Sequence, residues 1–326
     1  MINRNNPFGP IYDICNRGSS QEKLEDIIDF PRYIDIELTN KCNYKCLMCP
    51  TGIRSLKREK GYMADKTYYK ILEEAEKHGT PMRFIGWGEP TLHKKLLDYL
   101  NDAKKSGLLC HINTNGSLMT EELADKLLNI PIDSIKFSFQ GVDSETYLEI
   151  RRADVFDGLV GKVKMFYEKR GYRKIPYIHV STTITYESKV QVEAFKSIIS
   201  KSVDLVTVGR THFENITDKS KLSESELSTL NKMKRTETII KRYHECAEVF
   251  DKFTVNWDGT ASACCNDCDK DMVIGDTKIS SIGEIWHSKE MGFYRQMLAQ
   301  MRHDELSVCS RCYDFMSLQM SGIQNI

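Results

Sequence analysis

The sequence lacks an excess of charge of either sign, long apolar runs and a secretion signal, and each absence excludes a class of partner or location. Lysine plus arginine and aspartate plus glutamate number 46 each among 326 residues, which gives no indication of a polyanion such as nucleic acid as a partner. The polar N-terminus lacks the apolar core of a signal peptide, and no apolar run is long enough to span a membrane. We therefore expect a cytoplasmic protein whose partners include neither nucleic acid nor a membrane.

Cysteine, in contrast, is frequent, with 11 residues in the chain. In a reducing cytoplasm this number argues against a disulfide framework and favours metal binding or redox chemistry. Because buried structural cysteines tend to scatter singly, their grouping indicates sets of ligands, although Cys15 and Cys110 stand apart. The groups are Cys42, Cys46 and Cys49; Cys246, Cys264, Cys265 and Cys268; and Cys309 and Cys312.

Short apolar segments alternate with helical segments between residues 33 and 208. The alternation predicts six strands separated by helices, which is the pattern of a parallel sheet with crossover helices. Six units are fewer than the eight of a complete TIM barrel, so we expect an α/β fold with a partial (β/α)6 TIM-like barrel. The predicted strands are 33–38, 83–87, 108–113, 132–139, 176–185 and 203–208.

Functional groups of such barrels gather at the carboxyl ends of the strands. The first cysteine group follows the first predicted strand, and four polar or glycine-bearing loops follow later strands. At the end of the fourth predicted strand, Ser138 and Gln140 alternate with Phe137 and Phe139, so the two polar side chains should face the same way. We expect the loops to converge on one site. They are GWGEP (86–90), NTNG (113–116), FSFQG (137–141) and VGRTHFEN (208–215).

The character of the sequence changes after the sixth predicted strand. The charged segment 218–245 is typical of an exposed linking helix, and residues 252–264 predict two short strands joined by a two-residue turn at Asp258–Gly259. We expect a small α+β domain here, with a helical stretch at 280–301. The expected divisions are an N-terminal extension at 1–30, the barrel at 31–235 and the second domain at 236–326.

Cys42, Cys46 and Cys49 are spaced C-x3-C-x2-C within the stretch KCNYKCLMCP. The spacing is compatible with simple packing on one helix face, but the stretch is polar and a proline follows it. Zinc needs a fourth ligand, and none lies close in the sequence. Three thiolates on a short loop suit a four-iron cluster whose fourth iron stays open for another ligand.

The stretch CNYKCLMC resembles the signature of radical S-adenosylmethionine (SAM) enzymes, whose fold is the partial barrel. The resemblance implies a [4Fe-4S] cluster on Cys42, Cys46 and Cys49, with SAM bound at the open iron. It also implies reductive cleavage of SAM to a 5′-deoxyadenosyl radical that abstracts hydrogen from a substrate. An electron donor of the flavodoxin or ferredoxin type is expected to supply the reducing electron.

Several loop residues are similar to those that contact SAM in this family. Gly88 and Glu89 of GWGEP would admit the cofactor and bind its ammonium, although such a stretch alone is compatible with an ordinary turn. Arg151 or Arg152 would pair with the SAM carboxylate, although both are compatible with a solvated pair. The remaining expected SAM contacts are Asn115, Ser138 and Gln140.

Cys246, Cys264, Cys309 and Cys312 can complete either a zinc site or a second iron–sulfur cluster. The pattern C-x12-G-x4-C from Cys246 through Gly259 to Cys264 resembles the opening of the twitch domain, a shortened SPASM domain. The resemblance implies one auxiliary [4Fe-4S] cluster on these four cysteines, since no cysteine follows Cys312.

Within the family, the pattern resembles that of 2-deoxy-scyllo-inosamine dehydrogenase. That likeness implies oxidation of a small alcohol, namely a sugar, amino sugar or aminocyclitol, to a ketone, with the auxiliary cluster accepting an electron. Arg210 and His212 follow the sixth strand, where substrate should lie, and either is compatible with a solvated loop position. Cys265 and Cys268 are interpreted as spare thiols, or alternatively as hydrogen donors, which would make the protein an epimerase.

Two other hypotheses remain. Peptide-modifying relatives usually carry a leader-binding domain, and only about thirty residues precede the first strand, so we expect a small-molecule substrate unless a separate protein recognises a peptide. A scaffold with two zinc sites and no catalysis would be colourless, whereas a radical enzyme should be brown and contain roughly eight irons.

Overall fold

Parallel strands and covering helices build the first two thirds of the chain. The computed structural model describes residues 4–234 and 237–320. The strands are β1 Tyr33–Ile36, β2 Met82–Phe84, β3 Cys110–Thr114, β4 Ser134–Ser138, β5 Tyr177–Ile184, β6 Leu205–Arg210, β7 Glu237–Lys241, β8 Lys252–Val255, β9 Thr260–Ser262, β10 Val273–Asp276 and β11 Met316–Met320. The helices are α1 Gly9–Cys15, α2 Ser20–Glu25, α3 Asp65–His78, α4 Leu96–Lys105, α5 Glu121–Asn129, α6 Ser144–Arg151, α7 Phe156–Arg170, α8 Lys189–Ile199, α9 Glu224–Lys234, α10 Glu248–Asp251, α11 Ile282–Trp286 and α12 Lys289–Ala299.

Strands β1 to β6 pair in chain order and are all parallel, which confirms the predicted partial barrel. Alternate residues of each strand face outward and pack under the helices, as Ile112, Phe137 and Val180 do with no exposed surface. The other residues face inward, and there the strands carry polar side chains such as Arg83 and Lys136. The barrel therefore has an apolar outer layer and a polar interior.

The helices follow from ordinary local signals. In α3 the buried residues Tyr68, Ile71, Leu72 and Ala75 recur at helical spacing, and Gly79 ends the helix with a φ of +64°. Side-chain caps mark the starts of several other helices, as at Thr120, whose side chain accepts a hydrogen bond from the backbone N–H of Leu123 at 3.1 Å. Each such cap fixes the residue at which the loop ends and the helix begins.

The hairpin of the second domain continues the barrel sheet. Strand β8 pairs with β1 in parallel register, with Ile34 opposite Phe253, and β9 and β10 extend the sheet to nine strands. The turn is longer than the predicted two residues, because Asn256 N–H donates to the Thr260 carbonyl at 2.8 Å. Gly259 has a φ of +89°, which explains the glycine there.

The prediction of one linking helix at 218–245 is wrong over its second half. Helix α9 ends at Lys234, and strand β7 follows and pairs antiparallel with β11. The β-branched run Thr238, Ile239 and Ile240 favours a strand, and pairing with the C-terminal β11 supplies the partner that local sequence could not reveal.

The N-terminal segment packs into the barrel at the amino ends of the strands. Phe8 has no exposed surface, and its ring lies 5.8 Å from the ring of His111. The Arg83 guanidinium donates to the Tyr12 hydroxyl at 3.2 Å and lies over the Tyr33 ring at 4.5 Å. These contacts cover the barrel interior from below. Among the helices of the described residues, none has the length and apolar character needed to cross a membrane.

Candidate active site

The first cysteine group lies on a tightly folded loop after β1. Leu47 N–H donates to the Ile150 carbonyl at 2.8 Å and Cys49 N–H to the Cys46 carbonyl at 3.2 Å. A Cβ on Gly52 would lie 2.4 Å from the Cys46 carbonyl oxygen, so only glycine fits there. Burial raises the pKa of the Cys49 thiol to about 11, so loading a metal must displace its proton.

All three cysteines face one cavity of about 830 Å³ at the carboxyl edge of the sheet, which we call the SAM cavity. Among the described residues, neither a fourth cysteine nor a histidine lines it. Gln140 Oε1 and Arg151 Nε are buried there with no hydrogen-bond partner in the described chain, so the cavity is suited to a polar ligand. Its lining includes the expected SAM contacts Gly88, Glu89, Asn115, Ser138, Gln140 and Arg151.

Glu89 is 2% exposed, and four donors fix its carboxylate. Oε1 accepts hydrogen bonds from the Thr91 hydroxyl, the Thr91 N–H and the Thr114 hydroxyl, at 2.7 to 3.1 Å. Oε2 accepts one bond, from Asn115 N–H at 2.7 Å. Burial raises the pKa of Glu89. Because Oε2 keeps an unused lone pair inside the cavity, the carboxylate is positioned to bind a cation.

Close backbone packing explains why position 88 is a glycine. A Cβ at Gly88 would lie 2.2 Å from the Thr39 carbonyl oxygen and 2.6 Å from that of Lys41. The loop after β2 therefore packs directly on the loop that carries the cysteines, and Glu89 N–H donates to the Lys41 carbonyl at 2.9 Å. This contact holds Glu89 beside the three thiols.

The two neighbouring arginines differ in position. Arg151 is 5% exposed, and its guanidinium lies 3.4 Å from Cys46 Sγ and donates to the Ser138 carbonyl. Arg152 caps the end of α6 with a φ of +59° and pairs with Glu226 outside the SAM cavity. Of the two sequence candidates, the structure brings only Arg151 to the cavity.

A second cavity, of about 520 Å³, contains five cysteines from distant parts of the chain, and we call it the auxiliary cavity. Burial raises the pKa of Cys309 to about 12 and of Cys312 to about 11, so these thiols also bind metal in exchange for protons. Five thiols around one space fit an iron–sulfur cluster fully ligated by cysteine. The five are Cys246, Cys264, Cys265, Cys309 and Cys312.

Cys268 lies apart from this set. It is 1% exposed and outside the residues lining the auxiliary cavity, and burial raises its pKa to about 12. Cys265 and Cys268, to which the sequence assigned no ligand role, therefore differ in position, and only Cys265 lies beside the expected ligands.

The sequence did not predict a role for His244, Glu248 or Asp314, which also line the auxiliary cavity. The potential ligand atoms of His244 and Asp314 lie within 4.8 Å of Cys312, and that of Glu248 lies within 4.8 Å of Cys264 and Cys265. Each of the three is two residues from Cys246 or Cys312 in the sequence, and this spacing is the one signal that could have indicated them.

Comparison with known proteins identifies the family. Residues 36–209, more than half of the chain, match the radical SAM superfamily, and residues 246–313 match the SPASM iron–sulfur cluster-binding domain. The chain belongs to the radical SAM superfamily. Its cofactors are accordingly SAM, a [4Fe-4S] cluster and an auxiliary iron–sulfur cluster.

Individual similarities are more distant. A tungsten-containing aldehyde ferredoxin oxidoreductase cofactor-modifying protein of Pyrococcus furiosus is 29% identical over 184 residues, which is 54% of this chain and 51% of that protein. The chain thus spans about half the length of this curated relative.

Solved structures show the same fold at low identity. BtrN, in complex with AdoMet and 2-DOIA, aligns with a TM-score of 0.57 at 17% identity over 87% of this chain and 93% of its own. Streptococcus suis SuiB bound to precursor peptide SuiA aligns with a TM-score of 0.65 at 17% identity, over 89% of this chain and 72% of its own. Both likenesses confirm the fold alone.

In this radical SAM protein, residues of the barrel and of the SPASM domain meet between the two cavities. Arg58 and Glu37 form a buried ion pair with two contacts of 2.5 and 2.6 Å, and Arg58 also donates to Asn256 Oδ1 at 3.2 Å. Trp87 N–H donates to Glu37 at 2.9 Å, and the Trp87 indole N–H donates to the Cys265 carbonyl at 3.1 Å. Trp87 lines the SAM cavity, so one side chain contacts both sites.

Arg210 and His212 lie at and just beyond the end of β6. Neither is among the described residues that line the SAM cavity. His212 instead lies with its ring 5.4 Å from that of Tyr313, which lines the auxiliary cavity, and its Nδ1 is 3.8 Å from Glu214 Oε2. The structure thus places His212 near the auxiliary site.

Proposed function

We propose that the protein is a radical SAM oxidoreductase that oxidises a small alcohol, such as a sugar, amino sugar or aminocyclitol, to a ketone. The observation that carries the proposal is the contact of Trp87 with the Cys265 carbonyl, which joins the SAM cavity to the auxiliary cavity. A substrate bound inside the barrel beside the SAM cavity would lie near both redox sites, because the inward-facing Lys136 interacts electrostatically with Cys265 of the auxiliary cavity. The superfamily is enzymatic, and the alcohol as substrate is our inference.

The residues of the SAM cavity have separate roles in this proposal. Cys42, Cys46 and Cys49 hold the first cluster, and Glu89 Oε2 accepts a hydrogen bond from the SAM ammonium. Arg151 lies beside Cys46, where its positive charge would pair with the cofactor carboxylate. Asn115, Ser138 and Gln140 supply the remaining polar contacts.

Cys42, Cys46 and Cys49 would hold the first cluster, and with SAM bound this cluster would supply the radical chemistry that removes one hydrogen atom from the substrate carbon. Oxidation to a ketone then requires that the substrate lose its hydroxyl proton to water and one further electron to an acceptor. Cys246, Cys264, Cys309 and Cys312 would hold the auxiliary cluster, which would supply a one-electron acceptor. A flavodoxin or ferredoxin is the proposed source of the reducing electron.

Two alternatives rest on specific observations. SuiB, which aligns with a TM-score of 0.65, is described in complex with a precursor peptide, which supports peptide modification as a second candidate function. Cys265 lies in the auxiliary cavity at the contact with Trp87, which supports an epimerase in which this thiol returns a hydrogen atom to the substrate radical.

Isotope transfer separates these functions. The reconstituted enzyme is incubated anaerobically with SAM, dithionite and carbon-deuterated polyols, and deuterium in 5′-deoxyadenosine identifies the substrate. A dehydrogenase yields a product two hydrogens lighter, and Cys265→Ala leaves turnover intact. In heavy water an epimerase instead places solvent deuterium on carbon, and Cys265→Ala abolishes turnover. Deuterium transfer from a peptide, and from none of the polyols, contradicts the proposal.

A further inference from the structure

A row of inward-facing side chains lies one layer below the SAM cavity. Lys136 is two residues before Ser138 on β4, so both side chains face the barrel interior and lie about 7 Å apart along the strand. Strand register places Asn113 opposite Lys136 on one side and His179 opposite it on the other. The row therefore crosses three strands directly beneath the expected SAM contacts.

This row lines a cavity of about 510 Å³, which we call the lumen. The lumen shares Ile85 and Asn113 with the SAM cavity, so the two spaces are adjacent and have a common wall. Asn6 and Tyr12 of the N-terminal segment form its floor. The volume of the lumen leaves room for a molecule about the size of a monosaccharide.

Charge in the lumen does not balance. Arg83 is neutralised by Asp35 through two contacts of 2.6 and 2.9 Å. His111 and His179 are uncharged at neutral pH, because burial lowers the pKa of both, that of His179 to about 4. Lys136 is then left as the uncompensated cation of the lumen.

Among the described residues, no carboxylate forms an ion pair with the Lys136 ammonium. Asp35 is close enough to act on it electrostatically, but this carboxylate is paired with Arg83 at 2.6 Å. Burial and the Arg83 charge lower the pKa of Lys136 to about 8, while Asp35 and the Cys265 thiol act in the opposite direction. The amine therefore remains largely protonated at pH 7. A partly buried ammonium without a partner is costly unless a ligand supplies the opposite charge.

We propose that the lumen is the substrate site and that Lys136 binds an oxyanion, carboxylate or phosphate, on a small polyol. The inference rests on the proposed function and narrows its substrate class. Hydroxyl groups of such a molecule find both donors and acceptors in Asn113, Ser134, His179 and Tyr177. The closed floor favours a compact sugar or cyclitol over a peptide segment.

Equilibrium binding to the SAM-loaded holoenzyme tests the proposal. Titration calorimetry under anaerobic conditions and without reductant compares glucose, glucuronate, glucose 6-phosphate and a terminally blocked glutamate. Because no turnover is measured, the result is independent of whether the enzyme oxidises an alcohol. We expect glucuronate or glucose 6-phosphate to bind at least about tenfold more tightly than glucose, as for a hydrogen bond to a charged group. The one that binds identifies the carboxylate or the phosphate.

Matched variants assign the effect to one side chain. Lys136→Met should remove the preference for the anionic sugar, whereas Lys136→Arg should keep most of it. Lys105→Met, at an exposed position on α4, should keep all of it, and iron content and SAM affinity show whether each variant is folded. The proposal is overturned if neither anionic sugar binds more tightly than glucose, if the preference persists in Lys136→Met, or if only the blocked glutamate shows it.

Discussion

The neighbouring residues Arg151 and Arg152 occupy different environments, and the sequence could not show which of them reaches the SAM cavity. Both are compatible with the family arginine, because adjacency in sequence leaves the direction of each side chain open. The end of α6 decides between them, since Arg152 adopts a left-handed conformation with a φ of +59° and Arg151 remains helical and buried. Only Arg151 reaches Cys46.

Substituting each arginine in turn tests this assignment. Arg151→Gln removes a charge beside the Cys46 thiol and should weaken SAM binding by roughly tenfold or more, the range for hydrogen bonds to charged groups. Arg152→Gln removes an ion pair with Glu226 that is partly open to solvent, and such pairs contribute about 0 to 1 kcal/mol. SAM affinity of the two reconstituted variants is the measurement, and equal losses in both would contradict the assignment.

Among the contacts between elements, the pairing of β8 with β1 was the hardest to predict from the sequence. Short apolar segments between helical segments predicted the six barrel strands, and the turn signal at Asp258–Gly259 predicted both strands of the hairpin, because those signals are local. The pairing joins residues more than two hundred positions apart, Tyr33 with Lys252, and no local pattern specifies it. Its consequence is functional, since it fixes the auxiliary cysteines beside the SAM cavity.

Gly61 packs against the ring of Trp257, which lies in the turn between β8 and β9. A Cβ at Gly61 would lie 2.2 Å from that ring, whereas a Cβ at Gly161, within α7, would meet nothing within 4 Å. Gly61→Ala should therefore destabilise the protein by about 1 to 3 kcal/mol through overpacking. Gly161→Ala should stabilise it by about 0.5 to 1 kcal/mol through helix propensity.

The apparent midpoint of thermal unfolding of the two reconstituted variants checks this prediction. The expected shifts have opposite signs. A Gly61→Ala variant that is as stable as the parent would show that the turn does not pack on the cysteine-bearing loop.

For the whole molecule, we expect two iron–sulfur sites that bind their clusters independently of each other. Cys309→Ala should lower the iron content from roughly eight to roughly four per chain and leave dithionite-driven SAM cleavage in place. Cys265→Ala, in the same cavity, should leave the iron content unchanged, because Cys246, Cys264, Cys309 and Cys312 suffice as ligands. Iron analysis under anaerobic conditions distinguishes the variants, and loss of iron in Cys265→Ala would reassign the ligand set.

At this scale the sequence predicted the barrel and the first cysteine group, because apolar strand segments and the C-x3-C-x2-C spacing are local. The second cysteine set spans 246–312, and only the resemblance to the twitch domain implied it. The sequence missed Glu248, His244 and Asp314, whose relevance depends on how the chain folds around the auxiliary cavity. It also missed Lys136, although its position two residues before Ser138 placed it on the same face. Both omissions concern groups whose role arises from neighbours distant in sequence.

The most direct test of the central claim is release of 5′-deoxyadenosine from SAM by the anaerobically reconstituted, dithionite-reduced protein. We predict a brown protein with roughly eight irons per chain that releases this product. Cys42→Ala should lose about half of the iron and at least about 100-fold of the release, because it removes a ligand of the first cluster. A colourless zinc protein without release, or a Cys42→Ala variant as active as the parent, would contradict the account.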